Sequence, residues 1–407
     1  MSLTAALRRL PRELWLYAAA TVFFGMASSI FDSTFNNFLD DRFMLSGFER
    51  SFLEFPREMP GFLTVFFSAA LWFLPSRRMA AVAMLSCALG AALLGFYSPT
   101  YIIMVFWLFF YSLGQHLFLP LQQFIGMELA EKGKEGERLG QLNSLRNVAI
   151  ILGSLLVFVG FRYLNFNFST TFVLTSVSMV LAALMLFAMK PARSTKRPVF
   201  LRLHREYSLY YVLAILYGSR KQIFITFAPW VIVTVFNQPT QTLATLMTIG
   251  GVIGVLFQPI LGKAIDRLGE KTVICMEAIL LMLVCLGYGF VKFIFPEAVA
   301  FLLTCIFYLL DQILMSVNMA RATYMKKIAR YPEDIQPALT ASVTIDHIFS
   351  IAVALLGGLI WNQFGFQYVF LLGMGIAAIN LMAALRIRLP LAEAAPSLEA
   401  AKAGSPD

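Results

Sequence analysis

The chain reads as an all-α integral membrane protein, with twelve transmembrane helices in two pseudo-symmetric six-helix halves. Three observations predict this. Hydrophobic residues fill 59% of the 407 positions and charged residues only 14%, against about a quarter charged in soluble domains. Mean hydropathy is +0.74. Apolar runs near the roughly 20 residues that a spanning helix needs recur from one end of the chain to the other.

The expected spans of the first half are 14–39, 49–74, 79–97, 100–124, 140–163 and 169–189. Those of the second half are 208–236, 240–261, 272–294, 298–320, 338–361 and 367–388. Arg8, Arg9 and Arg12 precede span one as in a signal peptide. The apolar run is too long for an h-region and no small-residue cleavage site follows, so it is read as a retained helix.

Lys and Arg placement orients the chain. With residues 1–13 as a cytoplasmic tail, the tails and inner loops hold 24 of the 32 basic residues. The outer loops hold Arg42, Arg162 and Lys292 alone. Both termini are therefore expected in the cytoplasm, with the chain in a bacterial inner membrane. The net charge of +9 marks topology and contact with anionic lipid. A nucleic-acid reading needs a folded basic face with aromatic platforms, which is not seen. Cys87, Cys275, Cys285 and Cys305 all fall in apolar spans and read as core thiols.

A basic, proline-interrupted linker, "KPARSTKRPVFLRLHREY" at 190–207, divides the chain into halves at 14–189 and 208–389. Each half ends alike. The stretch "GSLLVFVGFRYLNFNFSTTFVL" begins at Gly153 and "GGLIWNQFGFQYVFLL" begins at Gly357, both running from small residues through an aromatic loop into a last helix. This fits a duplicated six-helix unit. Residues 390–407 are small and polar and are expected to be disordered.

The loop after span eight, "GKAIDRLGEKT" at 262–272, resembles the signature loop of the major facilitator superfamily, through Gly262, Asp266, Arg267, Gly269 and Lys271. Gly262 and Gly269 would allow a tight turn. Asp266 would face the positive N-terminal end of a neighbouring helix, and Arg267 and Lys271 would face phosphates or a carboxylate. Ile265 and Glu270 depart from the usual small and basic residues, and the matching loop of half one, "LPSRRM", keeps only Arg77 and Arg78. The resemblance implies secondary transport by alternating access, usually as a monomer, with spans one, four, seven and ten lining a central cavity. No GxxxxGK[ST], HExxH or GxSxG pattern is present, so no enzyme is expected.

An ionisable residue inside a span costs at least about 2.5 kcal/mol, so each one demands a partner, water or a function. In span one Gly25, Ser29, Asp32 and Asn36 form a polar stripe. Asp32 reads either as a substrate or proton site or as a structural pair. In span seven Arg220 and Lys221 lie about 18 Å from the inner end, at 1.5 Å per residue. A cation in the cavity would bind an anionic substrate; the bland reading is pairing with a buried acid. Tyr217 shares that face. Span four carries Gln115 and His116, span ten Asp311, and span eleven Asp346 and His347. A metal-carrier reading uses His116, Asp346 and His347, with Asp311 as a further oxygen donor. Without an HxxxH pattern or a Cys/His cluster, no metal or other cofactor is expected. His347 reads otherwise as a hydrogen-bonded or proton-linked group.

Span two opens on "FERSFLEFPREMPGF". Glu54, Arg57 and Glu58 enter from the outer side, with Glu58 about 13 Å deep. Asp32 lies at similar depth, so Arg57 is placed to pair with it and Glu58 is left to titrate. The stretch is either an outer gate or the proton-coupling site. Arg146 in span five reads as structural. The expected function is a proton-coupled secondary transporter of a small organic anion, zwitterion or amphiphile, with export slightly favoured. A non-transporting receptor or scaffold is the competitor from another class.

Overall fold

The computed structural model describes residues 11–43, 47–191, 203–238 and 240–388. The expected tail up to residue 10, linker residues 192–202 and the tail from 389 lie outside them.

Half one contains α1 (Arg12–Phe43), α2 (Gly47–Ala70), α3 (Ser76–Phe96), α4 (Tyr101–Glu128), α5 (Glu135–Tyr163) and α6 (Phe168–Ala188). Half two contains α7 (Ser208–Trp230), α8 (Thr240–Leu268), α9 (Glu270–Ile294), α10 (Glu297–Met315), α11 (Asn318–Ile328), α12 (Ile335–Phe364) and α13 (Phe366–Leu385). The extra helix comes from a break at Ser316–Val317, which splits the tenth span into α10 and α11. The fold is thus twelve spans in two six-helix halves.

Among the described residues, ten helices are long and apolar enough to cross a membrane. The two that fall short are α2 and α7, whose apolar runs are diluted by Arg57 and Glu58 and by Arg220 and Lys221. Of these charges Arg220 is buried and Lys221 largely so, whereas the Arg57 and Glu58 side chains are more than a third exposed.

Within half one, α1 packs on α5 and α6, and α3 packs on α4 and α6. Half two repeats this with α7 on α12 and α13, and α9 on α10 and α13. The repeat extends to details. Gly153 of α5 lies under Met26 and Ser29 of α1, and Gly357 of α12 lies under the Phe227 ring of α7. The two loops before the last helices each turn through a positive φ, at Asn165 and at Gly365. Between halves, α5 packs on α8, and α2 and α4 pack on α12. The four cysteines are free.

Candidate functional site

Chain direction places Arg12 and Leu385 at one end of the bundle, called here the basic end. The halves meet closely there. Asp266 of α8 accepts hydrogen bonds from the amides of Gly136 (2.8 Å) and Glu137 (2.7 Å), in the first turn of α5. These amides have no partner within their own helix, and the positive end of the helix dipole favours the carboxylate. Gly269 makes the turn between α8 and α9 at φ +82°. Gly262 has a different task from the expected one: it sits inside α8, where a Cβ would come 2.2 Å from the Gly136 carbonyl oxygen. It permits helix contact rather than a turn. Arg267 and Lys271 are exposed. Glu270, the departure from the usual pattern, is buried and pairs with Lys327 at 2.8 Å. Lys326 of α11 reaches across to Glu135 (2.8 Å) and to the Met127 carbonyl (3.0 Å).

Further in, Ser144 donates to the Val255 carbonyl at 2.6 Å, and the Val65 amide donates to Thr344 at 3.3 Å. These contacts close the bundle from its middle to the basic end.

A cavity of about 430 Å³ lies beside them, between the halves. Its walls come from α4, α5, α7, α8, α10, α11 and α12. Amides are the most numerous of its polar groups: Gln122, Gln123, Asn143, Asn147, Gln258, Gln312 and Asn318. Among the described residues, helix α1 contributes none to the lining, unlike the expectation for span one. Its small residues are used to approach α5. A Cβ at Gly25 would sit 2.9 Å from the Arg146 carbonyl oxygen, and Ser29 donates to the Ile150 carbonyl at 2.7 Å.

Three cations and one acid line this cavity: Arg146, Lys221, Arg321 and Asp346. Lys221 pairs with Asp346 at 2.8 Å, and Asp346 also accepts from Ser350 at 3.1 Å. Arg321 pairs with Glu277 at 2.8 Å. Arg146 has no such partner. Its guanidinium donates to the Gln122 side chain at 3.4 Å, its Nε is buried without a hydrogen bond, and no carboxylate among the described residues pairs with it. Sequence reading placed it as structural. The available signal was an arginine in mid-span with no acid at helical spacing.

Arg220 does not line the cavity. Its guanidinium is held by Asp311 at 2.7 Å and Glu277 at 3.2 Å. Glu277 links it to Arg321, so two acids and two arginines form a buried, neutral cluster, each residue no more than 2% exposed. Such clusters persist only when charges balance and hydrogen bonds are satisfied. Glu277 and Arg321 were not anticipated; a lone glutamate in an apolar span was the missed signal, and Arg321 fell just outside the expected tenth span. Tyr217 lies against three cations, with its ring 4.8 Å from Arg321, 5.4 Å from Arg220 and 5.9 Å from Lys221. Its hydroxyl donates to the Met315 carbonyl, at the end of α10 (3.1 Å).

In the other half, Arg57 and Asp32 stand 3.9 Å apart, and Asp32 is half-exposed. Gln115 donates to the Tyr111 hydroxyl at 3.2 Å and does not line the cavity. Glu58 lies between His116 and His347, 3.7 Å from each. The carboxylate beside the two histidines is therefore Glu58. Asp346 is occupied by Lys221, and Asp311 by Arg220. The side chain of Glu54 lies outside the described residues.

No curated protein sequence matches this chain. Among solved structures, it resembles the fucose:proton symporter FucP in its outward conformation, at 14% identity and a TM-score of 0.75, covering 92% of this chain and 98% of that one. It also resembles a bacterial homologue of the iron transporter ferroportin in its outward-facing state, at 13% identity and TM-score 0.73, covering 93% and 99%. The proton:xylose symporter XylE is similar at 17% identity and TM-score 0.65, covering 92% and 94%. At these identities the likeness is one of fold. The sequence model of the Major Facilitator Superfamily matches residues 59–344, more than half of the chain; this chain is a member of the Major Facilitator Superfamily, a membrane transporter rather than an enzyme.

Proposed function

We propose that the protein is a proton-coupled secondary transporter of a small organic anion or zwitterion, bound in the central cavity by Arg146. One observation carries this reading: among the described residues, Arg146 is the cavity cation without a carboxylate partner. An anionic substrate group supplies the missing partner in bidentate form. The surrounding amides suit hydroxyl or carbonyl groups next to the anion, and Tyr217 and Lys221 complete the wall. The lining also holds Leu119, Leu139, Leu142, Met315 and Met319, which suit an apolar part of the same solute.

Coupling falls to Asp32. Asp311 is sealed by Arg220 and Glu58 sits between two buried histidines, whereas Asp32 is half-exposed beside Arg57. The close contacts between halves run from mid-bundle to the basic end, which supports an outward-open state if that end is cytoplasmic. The bias of Lys and Arg supports that orientation, in a bacterial inner membrane. One bundle encloses the whole cavity, so a monomer suffices.

The test compares wild type, Arg146→Gln and Asp32→Asn. Thermal stability is measured across small carboxylates, phosphates, zwitterions and cations, and flux in proteoliposomes at two pH values. Carboxylates or zwitterions are expected to stabilise wild type and Asp32→Asn but not Arg146→Gln, and Asp32→Asn is expected to lose pH-driven flux alone. Stabilisation by cations only, or equal anion responses in wild type and Arg146→Gln, would overturn the substrate assignment. Intact pH-driven flux in Asp32→Asn would overturn the coupling site.

A further inference from the structure

Glu58 of α2, His116 of α4 and His347 of α12 converge so that one donor atom of each lies within 4.8 Å of the others. The two rings meet edge to face at 4.7 Å. His116 is 9% exposed and His347 6%. The sequence paired His116 with His347 in a metal reading but offered Asp346 as the carboxylate; spacing could not bring in Glu58, because the three residues come from three separate helices.

The hydrogen bonds around His116 fix its tautomer. Its Nδ1 lies 2.9 Å from the Ser112 carbonyl, which only accepts, so Nδ1 carries the proton. The Ser112 hydroxyl donates to the Arg57 carbonyl and lies 3.0 Å from the same nitrogen, again as an acceptor. In the neutral imidazole, the form that a metal ion binds, the Nε2 of His116 is then a lone pair facing the Glu58 carboxylate. A ring nitrogen pinned by a backbone carbonyl on its far side is the usual arrangement of a metal-ligating histidine. His347 presents its Nδ1 to the same carboxylate oxygen. Both separations are 3.7 Å, beyond a hydrogen bond. Donors bound to one ion at roughly 2.0–2.2 Å stand at nearly this spacing from one another.

We propose that Glu58, His116 and His347 form a binding site for a divalent transition-metal ion that clamps the two halves together. Two imidazoles and one carboxylate suit zinc, iron(II) or cobalt(II), and are poorly matched to magnesium or calcium, which take oxygen donors. Glu58 and His116 belong to half one and His347 to half two, so the ion bridges the α2–α12 contact. Gly61 makes the bridge possible: one turn on from Glu58, its missing side chain leaves room for the His347 ring, which a Cβ would meet at 1.8 Å. His347 also lines the central cavity, so a fourth donor can come from water or solute on that side. The site is separate from Arg146, and either assignment can fail without the other.

The test uses the full-length protein in detergent, stripped with chelator and titrated with cobalt(II) and zinc(II), with magnesium as the control cation. Wild type is expected to take one cobalt(II) per chain with a visible ligand-field spectrum. Zinc is expected to displace the cobalt and raise Tm, and magnesium to do neither. Glu58→Gln and His347→Ala are each expected to weaken binding at least about tenfold. His204→Ala, which changes an exposed histidine remote from the trio, is expected to behave as wild type. No cobalt spectrum in wild type overturns the proposal. So does binding that survives both ligand substitutions, or that is lost in His204→Ala.

Discussion

The two halves share a topology but not an interior. Half one is held by a single apolar body running from Tyr17 to Met189. Aromatic contacts run through it: Phe24 meets Phe118, Phe31 stacks on Tyr111 with ring centres 3.7 Å apart, and Phe38 meets Phe172. Its ion pairs around Arg77 sit at the basic end, against Glu13 and Glu128. Half two is divided. One apolar block holds Leu213, Ile274 and Tyr324, and another holds Ile223, Leu281 and Tyr308. Along α7 and α9, Arg220 and Glu277 lie between these blocks, and their partners Asp311 and Arg321 stand on either side of the break in the tenth span. Lipid offers helices little hydrophobic drive to associate, so packing and polar contacts must supply it. Half one relies on packing, whereas half two adds an ionic seam that fixes which faces meet. A seam is also a joint, because charge pairs constrain the block positions while the break frees the backbone.

The harshest way to break the comparison is Glu277→Gln. It leaves two buried guanidinium groups sharing one carboxylate. Removing one partner from a buried pair costs about 3–5 kcal/mol. Thermal unfolding in detergent should show a large loss, beside no measurable change for the exposed Glu297→Gln. Adding Arg321→Met to Glu277→Gln should return part of the loss, because it removes the excess cation. If Glu277→Gln is as mild as Glu297→Gln, the seam does not hold half two together.

Phe31→Leu probes half one at its densest point. Aliphatic replacement keeps most of the volume, and such swaps cost up to about 1.5 kcal/mol; loss of the stack on Tyr111 is part of that. The expected drop in Tm is clear but smaller than for Glu277→Gln. A loss as large as the seam variant's would mean that half one lacks the tolerance of a continuous apolar core.

These differences were unevenly legible in the sequence. Span count and the loop at 262–272 could be read because hydropathy and glycine placement are local properties. So could the depth match of Asp32 and Arg57. The seam could not, because it joins Arg220, Glu277, Asp311 and Arg321 from four helices, and helical spacing says nothing about which helix lies opposite. The same limit made Arg220 look like the cavity cation and Arg146 look structural. Whether an arginine is neutralised depends on the acids of other helices, which only the packed bundle reveals. Gly262 was read as a turn residue, although its neighbour Gly136 is 126 positions earlier in the chain.

The smallest expected effect separates the two kinds of charge. Arg77 is buried at the basic end, but one of its partners, Glu128, is about a third exposed. Its guanidinium also donates to the Lys190 carbonyl at 2.9 Å. Pairs open to solvent contribute about 1 kcal/mol or less and are screened by salt. Arg77→Met keeps the apolar stem and should lower stability by about that amount, with the deficit shrinking as salt rises. The deficit of Glu277→Gln should stay constant across the same series, because ions do not reach the seam. Equal salt dependence of the two variants would place both networks in contact with solvent, and half two would then have no sealed joint at its centre.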